Sequence, residues 1–203
     1  PVIHARTKGV GILTKDEAIK YSALGPTSRA SGIARDIRKD EPYAAYDKVK
    51  WSIITQTEGD VFAKAVVRVL ELYESISIIK QCLKNMRKGP IDANIKEFPV
   101  GEGIGHAEAP RGEVFHYIKS DGSNSPVRYK VRAPSYMNVP TAKTTVIGQS
   151  VADATIILAA VDPCYCCTER MAIIDKKSGK KAYDVQDLIR MGQEKTRKLR
   201  KKI

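Results

Sequence analysis

The run Asp162-Pro163-Cys164-Tyr165-Cys166-Cys167-Thr168-Glu169-Arg170 holds three of the chain's four cysteines, directly after the apolar stretch Ala154–Val161, which only Thr155 interrupts. Thiolates this close together can hold a soft metal, exchange disulfides, or do both. A tetrahedral site wants a further ligand from elsewhere, so the cluster reads as half of a metal site. On spacing alone a zinc or iron–sulfur half-site, a redox Cys-x-x-Cys pair and inert thiols all stay open. A thioredoxin-like pair wants its first cysteine at a helix N-terminus within a βαβ unit. Here the preceding helix presents its C-terminus instead. Asp162, two residues before Cys164, is placed to give an outer hydrogen bond to the ligands.

Two other stretches carry candidate chemistry. In Glu108-Ala109-Pro110-Arg111-Gly112 an arginine sits between proline and glycine at the mouth of a strand, where a guanidinium can be aimed at an anion. A structural salt bridge is the commoner use of such an arginine. Gly101-Glu102-Gly103-Ile104-Gly105-His106 lacks the preceding strand, following helix and spacing of a dinucleotide fingerprint, and is rejected as one. Its glycines are expected to let backbone approach a buried site. Cys82, beside a helical apolar stripe, is expected to be a small buried hydrophobe.

These residues need elements to position them. From Asp60 to Arg87, apolar residues recur at Phe62, Val66, Val69, Tyr73, Ile76, Ile79, Leu83 and Met86, in steps of three and four. That spacing predicts a long helix, capped by Asp60 and stopped at Gly89-Pro90, as the spine of a helical bundle. Residues 1–57 are rich in turn formers and predict loops and short helices, one of them opened by a Thr14/Glu17 capping box. Glu113–Lys119 and Val127–Arg132 alternate around Asp121-Gly122-Ser123-Asn124 and predict a hairpin. A second, buried helix is expected from about Val146 to Ala160, ending before Asp162-Pro163. A further exposed helix is expected from Val185 onward. The fold class is α+β: a long-helix bundle core with a small antiparallel hairpin or sheet.

Charge and composition narrow the class. The chain has 203 residues, 42% of them hydrophobic and 29% charged, which is globular rather than disordered. No apolar run approaches the ~20 residues of a membrane span, and nothing at the N-terminus resembles a signal peptide. Crowded cysteines are not a secreted disulfide framework, so a reducing compartment is expected. Of the net charge of +12, the stretch Met171–Ile203 contributes +7, from eleven Lys/Arg against four Asp/Glu. Few aromatics accompany these cations and no nucleic-acid motif appears, so no nucleic-acid partner is expected.

Asp-Pro-Cys-x-x-Cys-x-x-Arg, preceded by Glu-Ala-Pro-Arg-Gly, resembles the C-terminal half of a [NiFe]-hydrogenase large subunit. The resemblance is greatest to the membrane-bound, energy-converting enzymes related to respiratory complex I. Gly25–Gly32, Arg38–Tyr46, and Arg111-Gly112-Glu113 with Tyr117–Asp121 and Arg132-Ala133-Pro134 also resemble the quinone-site catalytic subunit of complex I. The resemblance covers about Arg6 to Arg170. It implies a domain over 1–170 and a basic extension over 171–203, either a propeptide cut after Arg170 or a retained tail. It implies a NiFe(CO)(CN)2 cluster, with Cys164 a terminal nickel thiolate and proton acceptor and Cys167 bridging nickel and iron. Arg111 and Pro110 would lie over the cluster, Asp162 would orient Arg111, and Thr141 would hydrogen-bond a cyanide. Cys166 matches no ligand. The family's other Cys-x-x-Cys pair and its acidic proton relay have no counterpart here, since the first 57 residues hold no cysteine. Either an N-terminal half of the large subunit supplies them from another chain or segment, or the cluster is lost and quinone, a sulfur compound or another acceptor is reduced. The implied partners are that N-terminal half, an iron–sulfur small subunit with its cluster, and membrane ion-translocating subunits. The implied place is the peripheral arm of a membrane complex on its cytoplasmic side.

Overall fold

The computed structural model describes residues 2–168 and 173–200, which form two compact units meeting in sequence at Pro163/Cys164. In the first unit short helices come first: α1 (Val2–Thr7), α2 (Lys15–Lys20), α3 (Gly25–Arg29) and α4 (Ile37–Asp40). Thr14 and Glu17 form the expected capping box on α2, each side chain bonding the other's backbone N–H. Then comes α5 (Val61–Asn85), 25 residues long. Asp60 caps it, one carboxylate oxygen accepting from the Ala63 N–H at 2.7 Å. The other oxygen accepts from the Gly9 N–H at 2.7 Å and pins the α1–α2 connection to the helix start. The helix ends at Asn85, where Met86 turns extended, before the glycine-proline stop is reached.

The inner face of α5 is not the apolar stripe. Val61, Ala63, Lys64, Val67 and Ile78 are buried, while Val69, Tyr73, Ile76, Ile79 and Leu83 are exposed, Tyr73 by 69%. Packed against the inner face are α1, α3 and α8 (Val151–Ala160). The apolar clusters are small: Leu13, Ala18 and Ala23 gather around α2, Ala30 meets Ala63 and Val67 where the end of α3 lies on α5, and Val49 and Trp51 pack on Ile78 of α5. Cys82, expected to be buried, is exposed, because it lies in the distal part of α5, where few residues are covered.

Three antiparallel strands follow in the order β1 (Val100–Ala109), β2 (Gly112–Asp121), β3 (Arg128–Arg132). The β2–β3 hairpin is the expected one. The glycine passage forms β1 instead of a close approach to a buried site. A Cβ added at Gly101, Gly103 or Gly105 would meet nothing within 4 Å. The glycines hide the alternation that marks a strand. Beyond the sheet, α6 (Pro134–Asn138) and α7 (Ala142–Thr145) lead to α8. That helix starts at Val151, later than expected, because Gly148 adopts a left-handed φ of 85° and Ser150 caps the new start. Of its residues only Ile157 is fully buried, so α8 is a half-covered helix rather than a buried one.

The second unit holds α9 (Tyr165–Thr168), a short β4–β5 hairpin (Ile173–Ile174, Lys181–Tyr183) and α10 (Val185–Arg200). Glu169 and Arg170, which complete the cysteine motif, and Met171, where the basic extension begins, lie outside the described residues.

Lys64 is 1% exposed, and its ammonium donates to the Gly11 carbonyl at 3.0 Å. Burial lowers its pKa from 10.5 to about 8, with Asp60 pulling the other way. A lysine whose folded pKa lies below its unfolded one binds fewer protons folded than unfolded between those values. Its contribution to stability therefore rises with pH from about 8 to 10.5. We expect Lys64→Met to be the more stable chain at pH 7, with the gap narrowing by about 3 kcal/mol across that window. Denaturant unfolding of both chains from pH 7 to 10.5 checks it, and a constant gap would contradict it.

Candidate functional site

Arg111 sits in the two-residue turn between Ala109 of β1 and Gly112 of β2, whose register pairs those two residues directly. The turn is pressed backbone to backbone against the start of α3. A Cβ on Gly25, whose φ is +62°, would lie 2.5 Å from the Arg111 carbonyl oxygen. A Cβ on Gly112, at φ +124°, would lie 2.7 Å from the Gly25 nitrogen. Only glycine fits on either side of this crossing.

Asn138, at the end of α6 and fully buried, clamps it. Its side-chain oxygen accepts from the Leu24 N–H at 2.8 Å, and its amide nitrogen donates to the Leu24 carbonyl at 3.2 Å and to the Arg111 carbonyl at 3.1 Å. Thr141, also buried, donates its hydroxyl to the Asn138 carbonyl at 2.6 Å. Thr141 is thus one link behind the turn, with its proton committed to backbone.

The Arg111 side chain reaches Asp162. Its Nε donates to the Asp162 carbonyl at 2.5 Å and its Nη2 to the Asp162 carboxylate at 3.0 Å. Asp162 has a left-handed φ of 56°, a costly conformation for a non-glycine residue, immediately after α8. This turn lets backbone oxygen and carboxylate oxygen address one guanidinium together. Both side chains are partly exposed, 32% for Arg111 and 43% for Asp162.

Pro110 and Asp162 line a cleft of about 420 Å³. The remaining wall includes Arg29, Arg38 and Arg68 facing Glu71 and Glu108. Arg29 is 1% exposed. Its Nε donates to Glu71 at 2.6 Å, and its Nη1 to Glu108 at 2.9 Å and to the Arg35 carbonyl at 3.0 Å. Burial pushes the Glu108 carboxyl upward, with Asp36 adding to the push and Arg29 opposing it. Arg38 pairs with Asp36 at 2.6 Å and stacks over Trp51 at 4.6 Å.

In the second unit Cys164 precedes α9, and its sulfur accepts from the Cys167 thiol at 2.8 Å. The Cys164 carbonyl accepts from the Cys167 N–H at 3.0 Å and the Thr168 hydroxyl at 3.1 Å, so one turn of helix sets the pair. Cys166 and Cys167 are exposed. Two thiols on one turn fit one side of a soft metal centre. Among the described residues no group of three or more His, Cys, Asp or Glu side chains could hold a metal ion. Cys164 and Cys167 are two sulfur donors set by one helical turn.

The structure thus brings together Pro110, Arg111 and Asp162, with Thr141 behind them, and separately Cys164 with Cys167. Sequence reasoning assigned no role to Arg29, Arg68, Glu108 or Asn138. Arg29 and Glu108 lay inside quoted motifs, which was signal enough to suspect them. Nothing in the spacing marks Asn138, because its partners lie 27 and 114 residues away.

A profile of the family described as "Respiratory-chain NADH dehydrogenase, 49 Kd subunit" matches residues 1–99 and 94–170. The chain is 40% identical to the carbon monoxide-induced hydrogenase of Rhodospirillum rubrum, covering 84% of this chain and 47% of the relative. It is 36% identical to the alpha subunit of the membrane-bound hydrogenase of Pyrococcus furiosus, covering 97% and 50%. It is 40% identical to an NADH-quinone oxidoreductase subunit of Herpetosiphon aurantiacus, covering 79% and 45%. The chain spans about half the length of these curated relatives.

Asn138→Ala strips partners from two buried Leu24 backbone groups, and we expect it to destabilise the fold by about 3 kcal/mol. Asp162→Asn, which suits the same left-handed turn and removes only the charge of a half-exposed ion pair, should change stability by under about 1 kcal/mol. Urea unfolding of the two variants checks the contrast, and equal losses would contradict it.

Proposed function

Since this chain belongs to the respiratory-chain NADH dehydrogenase 49 Kd subunit family, we propose that it is the C-terminal half of the catalytic subunit of a membrane-bound [NiFe]-hydrogenase. The complex interconverts H2 with protons and electrons, passes electrons to an iron–sulfur cluster in a small subunit, and couples this to ion translocation. The observation that carries the reading is the Cys164/Cys167 pair, two thiols on one helical turn that a purely quinone-reducing subunit has no chemical need to keep. Half-length coverage and the exposed apolar stripe of α5 support a companion N-terminal half that brings the other ligands and covers the helix.

In this reading Cys164 and Cys167 hold a NiFe(CO)(CN)2 group from one side. When bound, that group supplies the redox chemistry of H2. The chain's own residues do the rest. Cys164 Sγ accepts a proton. Arg111, fixed by the carbonyl and carboxylate of Asp162, presents a permanent cation where negative charge gathers. Pro110 keeps the turn rigid, and Thr141, through Asn138, keeps it in place. The subunit belongs to the peripheral arm on the cytoplasmic side of the membrane. Among the described residues no helix is long and apolar enough to cross a bilayer. Residues 171–203 are a propeptide or a retained tail.

A second reading has its own support in the equal 40% identity to a quinone oxidoreductase component. There the cluster is lost and quinone, a sulfur compound or another acceptor is reduced at the old site. Nickel and iron analysis of the native complex separates the two. About one nickel per chain, with H2 turnover abolished by Cys164→Ala, is expected. Iron without nickel would overturn the hydrogenase reading in favour of the second.

A further inference from the structure

Arg68, on α5, lines the same cleft as Pro110 and Asp162. Each carboxylate on the cleft wall is already engaged by another arginine: Glu71 and Glu108 by Arg29, and Asp162 by Arg111. Arg68 spends one donor, Nη1, on the Lys64 carbonyl at 3.0 Å, within its own helix. Its Nε and Nη2 are buried and have no hydrogen-bond partner among the described residues. Those two nitrogens are neighbours on one edge of the guanidinium, the edge that grips a carboxylate through two parallel N–H···O bonds. Burial works against the cation, and the nearest opposing charges, Asp162 and Glu71, are committed elsewhere.

From this geometry we propose that the Arg68 Nε/Nη2 edge and the cleft beside it form a carboxylate-binding subsite. A planar, singly charged group matches one guanidinium edge. A phosphate-like dianion would meet Glu71, Glu108 and Asp162 across the same space. Leu72 and Ser75, one and two turns further along α5, give that space a wall that is part apolar and part polar. The carboxylate comes either from an acidic side chain of the companion N-terminal half or from a small free carboxylate. Its binding does not depend on a metal at Cys164 and Cys167, so failure of the hydrogenase reading leaves it standing.

Nuclear magnetic resonance of the full chain with isotope-labelled arginine tests it, with acetate as probe. The Arg68 Nε–H signal is expected to shift saturably with acetate. In Arg68→Lys, which keeps the charge and loses the edge, and in Arg68→Gln, acetate should move no signal near the cleft. The Arg29 Nε–H, bonded to Glu71, reports folding in every sample. If adding the N-terminal half shifts the Arg68 signal and abolishes the acetate effect, the carboxylate is the protein's. If acetate still acts on the joined halves, it is a small ligand. The proposal is overturned if neither acetate nor the N-terminal half moves the Arg68 signal, or if acetate perturbs the same cleft amides in folded Arg68→Lys.

Discussion

One buried cation organises the first unit. Arg29 comes from α3, yet its guanidinium holds Glu71 on α5, Glu108 on β1 and the carbonyl of Arg35, and lies 3.4 Å from Asp36, the cap of α4. A charge this deep is tolerated only when it is paired and hydrogen-bonded on several sides. Here the pairing brings a helix, a strand and a loop to one point. The arrangement also confines Glu108, whose carboxyl is pushed up by burial and restrained by Arg29. Helix and sheet share little apolar core, so the polar network does the joining that a larger core does elsewhere.

The Arg111 turn depends on that junction. With Glu108 fixed, β1 delivers Ala109, Pro110 and Arg111 to the start of α3 one to three residues later. Backbone then meets backbone at Gly25 and Gly112, and Asn138 ties the three segments together. The guanidinium is aimed from a rigid base, and its counter-residue Asp162 is aimed by a left-handed turn after α8. A pair half open to solvent contributes little to folding. Its use lies in holding a cation in place.

The long helix has two characters. Its first half is packed by α1, α3 and α8, and carries Lys64, Arg68 and Glu71 into polar contacts. Its second half leaves most of its large apolar side chains in solvent, with Leu83 63% exposed. Exposed apolar stripes of this length mark surfaces built to be covered. The cysteine pair is equally local, two thiols brought together by one turn of helix.

Much of this was legible in one dimension. Capping at Thr14 and Asp60, the helical period of α5, the β2–β3 hairpin and the cysteine spacing are local, because each rests on residues within a few positions of one another. The motifs around Arg111 and Cys164 were equally plain. The sequence by itself therefore determined the elements, the α+β class and the residue types available for chemistry. It misled wherever the answer needed a partner far along the chain. The glycines of β1 hid a strand that only pairing with β2 creates, and the α5 stripe faced outward because charged contacts at Arg29 and Lys64 claimed the opposite side. Tertiary structure alone decided which carboxylate Arg29, Arg38 and Arg111 hold, and that two buried donors of Arg68 find no partner among the described residues. Partner choice among like charges depends on distances between segments tens of residues apart, and no local pattern encodes those distances.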